Sequence, residues 1–243
     1  MDTSYCILRS QNQTSCWGLE SEKTVGEKSL HEAIKHWYAR PNDRLEVEID
    51  KYIVDIVRDD LLIEIQTHNF SSIKAKLAAL LNRHTVKLVH PISKKKWIIR
   101  VDRDGKTVLS KRKSPKKGRV ENMFSELVYI PDMLKHRNFS LEILFIHSEE
   151  ILINDGRGSW RRKGWSIHDS RLVEVVSNAT FSTPSDLNRL LPSALPAVFT
   201  SFDLAKALRL RLSDSRRMVY CLRHMGTIHV VGKHGRTILY SSS

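Results

Sequence analysis

Residues 44–66 read RLEVEIDKYIVDIVRDDLLIEIQ, and this stretch decides how the rest of the chain is understood. It divides into three short strands, RLEVEID, YIVDIVR and LLIEIQ, separated by the turn pairs Asp50-Lys51 and Asp59-Asp60. The apolar residues are mostly β-branched, and acidic residues interrupt them at strand spacing. The stretch therefore predicts an antiparallel meander that carries charge into the interior. Asp55 is enclosed by Ile53, Val54, Ile56 and Val57, while Glu64 and Gln66 lie two apart and project from one face of their strand. A carboxylate among aliphatics is costly without a cationic partner. Two of them converging suggest a hard divalent metal, because oxygen ligands suit Mg²⁺ and a bound cation reverses their repulsion.

Upstream, EKSLHEAIKHWYA has helical periodicity, with Leu30, Ile34, Trp37 and Tyr38 on one side and Pro41 closing the segment. At a hundred degrees per residue, Leu30, Ile34 and Tyr38 fall close to Glu27, and Glu32 falls opposite. Glu27 is thus the acid this helix could deliver to the site; the competing reading is an acid that complements the helix N-terminus. Glu46 and Glu48 alternate with Leu45, Val47 and Ile49 as a solvated strand face, from which Glu48 could join the site. Downstream, Phe70, Ile73, Leu77, Leu80 and Leu81 mark a second helix, with Lys74 and Lys76 adding positive charge nearby. TVKLVHPI and KWIIRVD read as two strands joined by a Ser-Lys-Lys-Lys turn.

The pattern Asp, eight residues, Glu-x-Gln, with a helix before it and a helix and strand after it, resembles the core of the PD-(D/E)XK, or restriction-endonuclease-like, nuclease superfamily over roughly residues 25–102. The resemblance implies a mixed α/β (α+β) sheet domain of order α-β-β-β-α-β. It also implies metal ligation by Asp55, Glu64 and the carbonyl of Ile65, with Mg²⁺ as cofactor and Mn²⁺ as a substitute. Gln66 stands where the family usually carries lysine. A glutamine can orient a water but cannot serve as a charged base or as an ammonium.

Forty Lys and Arg against 27 Asp and Glu give a formal charge of +13 and a pI near 9.8. Such an excess favours a polyanionic partner, nucleic acid first and an anionic membrane surface second. No apolar run is long enough to span a bilayer and no signal sequence opens the chain, so a cytoplasmic protein is expected. Cys6, Cys16 and Cys221 form neither a disulfide framework nor a zinc pattern. No Gly-rich phosphate loop or nucleophile elbow competes with the acidic cluster.

The organisation expected is an N-terminal arm (1–24), a nuclease-like domain (25–182) with a basic extension (103–182), a linker (183–197) and a C-terminal module (198–243). The extension contains DRDGKTVLSKRKSPKKGR, where Lys111, Arg112, Lys113, Lys116 and Lys117 suit phosphate contact or an open basic loop. VENMFSELVYIPDMLKH reads as a helix ending near Pro131 with a second turn, its Met123, Phe124, Leu127 and Val128 packing inward, and SLEILFIHS and EEILIND read as a strand pair. Trp160 and Trp165 then enclose Arg161, Arg162 and Lys163, an aromatic and basic mixture suited to phosphate and base. RLVEVVS is a further strand, and Pro184, Pro192 and Pro196 punctuate the linker.

In the last fifty residues two helices, the second capped by Ser213 and ended by Gly226, precede a hairpin around His234-Gly235. That order looks like a winged helix-turn-helix, with Ser213, Ser215, Arg216, Arg217 and Arg223 on the recognition helix and Lys233 to Arg236 as the wing. The two-part plan is similar to end-cleaving subunits of some bacterial transposases, to certain restriction enzymes and to uncharacterised bacterial proteins. The function expected is a Mg²⁺-dependent DNA endonuclease whose winged helix holds duplex DNA. The alternative is a DNA-binding regulator or scaffold with a vestigial core, and a third reading puts RNA in place of DNA. The sequence leaves open a homodimer that would cut both strands.

Overall fold

The computed structural model describes residues 28–158 and 160–242. The N-terminal arm, Glu27, Cys6 and Cys16 lie outside the described residues, as does the side chain of Arg161.

Helix α1 (Lys28–Tyr38) leads into the meander β1 (Arg44–Ile49), β2 (Tyr52–Arg58) and β3 (Leu61–Ile65). Both Asp50 and Lys51 have positive φ (47° and 65°), the twist a tight two-residue hairpin requires. Helix α2 (Phe70–Leu81) crosses over to β4 (Thr85–Val101), which lies parallel to β3. The elements that follow are β5 (Val108–Lys113), α3 (Phe124–Leu127), β6 (Phe139–Asn154) and β7 (Trp165–Phe181). The sheet order is β1-β2-β3-β4-β6-β7, with β5 joined to the far half of β4. Antiparallel pairs stand at both ends and the parallel run β3-β4-β6 is central, which makes an open, mixed α/β sheet. Leu62, Leu88, Ile143 and Phe145 pack with α2 and α3 on one face. Ile63, Val89, Leu144 and Ile146 pack with Leu30 and Ile34 of α1 on the other. This alternation is the period-2 pattern of strands covered on both sides.

Several elements differ from expectation. The two strands read at 85–102 are one strand of 17 residues, and the pair read at 140–154 is one strand of 16. The apparent turn signals are charges that meet across strands. Lys96 pairs with Glu150 at 2.7 Å, Lys111 with Glu149 at 2.7 Å, and Ser93 Oγ lies 2.7 Å from Ser148 Oγ. A register irregularity between Ser93 and Lys95 absorbs the polar run. A third of the basic loop is β5, an edge strand exposed along its whole length. The helix read from 120 to about Pro131 is a 3₁₀ turn (Val120–Met123) followed by the single turn α3, and the second turn read beyond Pro131, which cannot continue a helix, is 3₁₀ (Met133–Lys135).

The section read as a linker also has structure: Pro184–Leu190 is a 3₁₀ segment capped by Thr183 and Asp186, and Leu187 is fully buried. Helices α4 (Ser201–Leu208) and α5 (Leu212–His224) and the hairpin β8 (Ile228–His234) with β9 (Thr237–Ser242) follow as read. The residue capping α5 is Arg211 rather than Ser213. Met218, Leu222 and Tyr240 join the same apolar cluster as Phe124 and Leu127, so the C-terminal elements share the body's core. No helix among the described residues is long and apolar enough to cross a membrane.

Candidate functional site

The β2–β3 ladder ends at Ile56 opposite Ile63. One step further the strands splay, and the N–H of Ile65 donates to Asp55 Oδ2 (2.8 Å) instead of to a backbone carbonyl. On the other side, the ladder between β1 and β2 omits Glu46 and Asp55, and Glu46 holds φ of 52° within a strand. A non-glycine residue in that region is strained, and such strain clusters at functional positions. Asp55 therefore sits where pairing fails on both sides, largely covered but reached by solvent, with Glu64 beside it and buried.

Each carboxylate meets one helix, from opposite faces of the sheet. His31 of α1 places Nε2 3.2 Å from Asp55 Oδ2. Lys76 of α2 donates from Nζ to the carbonyl of Ile53 (2.5 Å) and stands 2.6 Å from Glu64 Oε1. The approach to Glu64 is close but misaligned, so Oε1 makes no hydrogen bond. Burial first, and the neighbouring charge of Asp55 second, push the Glu64 carboxyl up to about 7 against the pull of Lys76. Burial also opposes the Asp55 charge, but the hydrogen bonds from His31 and the Ile65 amide prevail and hold its carboxyl below the usual range. The contact with Asp55 raises His31 above an ordinary imidazole, against the effect of its own burial. Two carboxylates with separated affinities, one cation and one imidazole can bind a phosphate-bearing substrate, position water and move a proton.

The sequence reading reached two of these four side chains as site residues. Lys76 is legible in the sequence only as positive charge near the site. His31 was passed over, although it follows Glu27 by four residues and so shares its helical face. Gln66 does not point into the site: its Nε2 donates to the carbonyl of His68 (2.5 Å) and reaches that of Asn69 (3.3 Å), fixing the loop that enters α2. The Gln66 amide thus braces that loop instead of orienting a water at the acid pair. Among the described residues no three His, Cys, Asp or Glu side chains gather as metal ligands. The donors Asp55, Glu64 and the Ile65 carbonyl are nonetheless all oxygen, the set a small hard cation takes, and Glu64 Oε1 has the Lys76 ammonium beside it at 2.6 Å.

The basic residues divide into paired and unpaired groups. Lys111 is held by Glu149 and Arg217 by Asp214. Ser215 is fully buried, its Oγ donating to the carbonyl of Ser201 (2.6 Å), and cannot touch DNA. Lys74, Arg112, Lys113, Lys116, Lys117, Arg162, Lys163, Lys233 and Arg236 are exposed, as is Ser213. Trp160, at the β6–β7 tip, is 83% exposed. Arg216, Arg223 and Arg236 surround a groove of about 560 Å³ between α5 and the hairpin, floored by Phe202, Tyr220 and Ile238.

Fold and site thus define an open mixed-sheet α/β protein with an acid pair at a strand splay. Residues 28–182 match the family described as "Domain of unknown function (DUF8091)", and the chain belongs to that family. It is also similar to a protein from Treponema pallidum (strain Nichols), itself described as uncharacterized, at 36% identity over 223 residues, covering 89% of this chain and 86% of the relative. No solved structure matches.

Proposed function

We propose that the protein is a divalent-metal-dependent endonuclease of PD-(D/E)XK type acting on double-stranded DNA, with the C-terminal helices and hairpin serving as a winged helix that holds the duplex. The carrying observation is the placement of Asp55 and Glu64 at the splay of β2 and β3, with the Lys76 ammonium between α2 and the site. The element order α1-β1-β2-β3-α2-β4 supports the same reading.

Asp55, Glu64 and the Ile65 carbonyl would hold Mg²⁺, which when bound supplies a Lewis acid and an activated water. Lys76 takes the role that sequence position gave to Gln66. Its ammonium, on a helix rather than on β3, stands where it can neutralise charge growing on a phosphate. His31 orients the Asp55 carboxylate and, through Nε2, can hold a proton at Oδ2. The Glu64 carboxyl, pushed up to about 7 by burial and the Asp55 charge, would be drawn into its charged form by the bound cation.

The test is plasmid nicking or linearisation with Mg²⁺ or Mn²⁺ and without either, for wild type, Asp55→Ala and Glu64→Ala. Metal-dependent cutting by wild type that falls at least about a hundredfold in both variants is expected. A second reading, a DNA-binding scaffold with a vestigial core, is favoured by the Gln66 amide, which is held by the loop at His68 and Asn69. Wild type and variants that bind DNA equally and never cut would establish it.

A further inference from the structure

A second feature lies on the same edge of β4 as β3. Because β6 pairs with β4 from Val86 to Val101, every other neighbour of β4 must occupy the opposite edge. Beside Thr85–Val89 that neighbour is β3, and beside Trp97–Val101 it is β5. The gap between them is filled by residues 114–118: Ser114 N donates to the Lys96 carbonyl (2.7 Å) and Gly118 N to the Ser93 carbonyl (2.9 Å). Gly118 is required by this approach, since a Cβ there would stand 2.4 Å from the Ser93 carbonyl oxygen. The chain thus runs flat along the sheet edge in line with the acid pair, and Arg112, Lys113, Lys116 and Lys117 project from it without a carboxylate partner among the described residues.

We infer that this edge is a rail along which a nucleic-acid duplex lies, meeting its phosphates wherever a strand faces the edge, from residues 111–117 to the Asp55–Glu64 site. The inference rests on the DNA reading above and adds direction and length to it. Glu64 is level with Leu88, and Lys113 with Trp97, so the two are separated by eight or nine residues of strand, roughly 28 Å at 3.3 Å per residue. A duplex rises 3.4 Å per base pair, so the rail spans about eight base pairs on one side of the site. Its pinned glycine and backbone hydrogen bonds give it a fixed line, unlike a free basic arm. Duplex DNA is the occupant because the cations of residues 112–117 follow one sheet edge with no aromatic side chain among them, which suits phosphate contact rather than base stacking.

The test is equilibrium binding of 12- to 30-base-pair duplexes in EDTA, so that cutting plays no part, over a salt series. Wild type is compared with Lys113→Ala/Lys116→Ala/Lys117→Ala and with Arg83→Ala/Lys135→Ala/Arg189→Ala, which removes equal charge elsewhere; circular dichroism confirms that both variants fold. The expected result is a loss of about tenfold or more for the rail variant alone, a salt slope shallower by about 3, and a hydroxyl-radical footprint shortened by about eight base pairs on one side. Equal losses in both variants, an unchanged footprint, or no duplex binding by wild type would overturn the rail. Tighter binding of duplex RNA than of duplex DNA at matched salt would overturn the DNA assignment. If the rail variant loses binding as described while wild type never cuts with metal, the rail stands and the nuclease reading fails.

Discussion

Glu64 shows what the site costs the fold. Its carboxyl titrates near 4.5 in the unfolded chain and about 7 in the folded one. Below pH 4.5 the group is protonated in both states and has no effect. As pH rises through 4.5 to 7 the unfolded state loses its proton first, and stability falls until both are ionised. The interval corresponds to about 3 kcal/mol, at 1.36 kcal/mol per unit. Glu64→Gln is therefore expected to be more stable than wild type at pH 8, by up to about 3 kcal/mol, and to differ little at pH 4.5, as read by urea unfolding at both values. Were Glu64 simply the structural partner of Lys76, the substitution would instead destabilise at pH 8. His31 and Asp55 run the other way in pairs: the raised His31 contributes fully below 6.5 and loses its contribution as pH rises, whereas the depressed Asp55 contributes above 3.8 and loses it as pH falls. Asp55 and Glu64 were legible because a charge inside a β-branched run breaks an otherwise simple pattern. Lys76 was not legible as a site residue, because a lysine on an amphipathic helix looks the same whether it faces solvent or an acid on another element.

Among elements, the β1–β2–β3 meander was readable because its turns and its alternation are local. The long strands were not. Lys94-Lys95-Lys96 and Ser148-Glu149-Glu150 are turn signals by composition, and only the pairing of β4 with β6, more than fifty residues apart, makes them complementary rows of one sheet. The break of the 120–136 segment was signalled by Pro131 alone, since Met123, Phe124, Leu127 and Leu134 are buried in either conformation. Gly118 gives the element-scale prediction. Gly118→Ala places a methyl against the Ser93 carbonyl and is expected to cost about 1–3 kcal/mol, and to raise amide hydrogen exchange at Ser114 and Gly118 well beyond that of β4 itself. Unchanged exchange there would show that the edge segment is not pinned in this way.

At the scale of the whole molecule, the shared core sets what can be separated. Phe124, Leu127 and Leu134 are covered in common with Met218, Leu222 and Tyr240, and Arg119 donates to the Leu208 carbonyl (2.7 Å). A protein shortened to end at residue 182 is expected to bind a dye for exposed apolar surface and to lose cooperative melting, whereas the full chain melts in one transition by calorimetry. The boundary at 182, clear in composition, is thus not a boundary in packing. The sheet also implies an order of assembly. Hairpins such as β1–β2 and β2–β3 close within microseconds, while Val86 must find Phe139 before the parallel centre exists. Asp55 and Glu64 are brought together by the fast local step, before α2 can deliver Lys76. Early in folding, then, the meander carries two like charges with no counter-ion, and neutralising one should raise the population of closed meander from which the slower pairing of β4 with β6 proceeds. Refolding of wild type is expected to be faster at pH 5 than at pH 8 in stopped-flow mixing, and Glu64→Gln to abolish most of that difference. The same strand splay that creates the site thereby makes the molecule slowest to fold at the pH where its chemistry would operate.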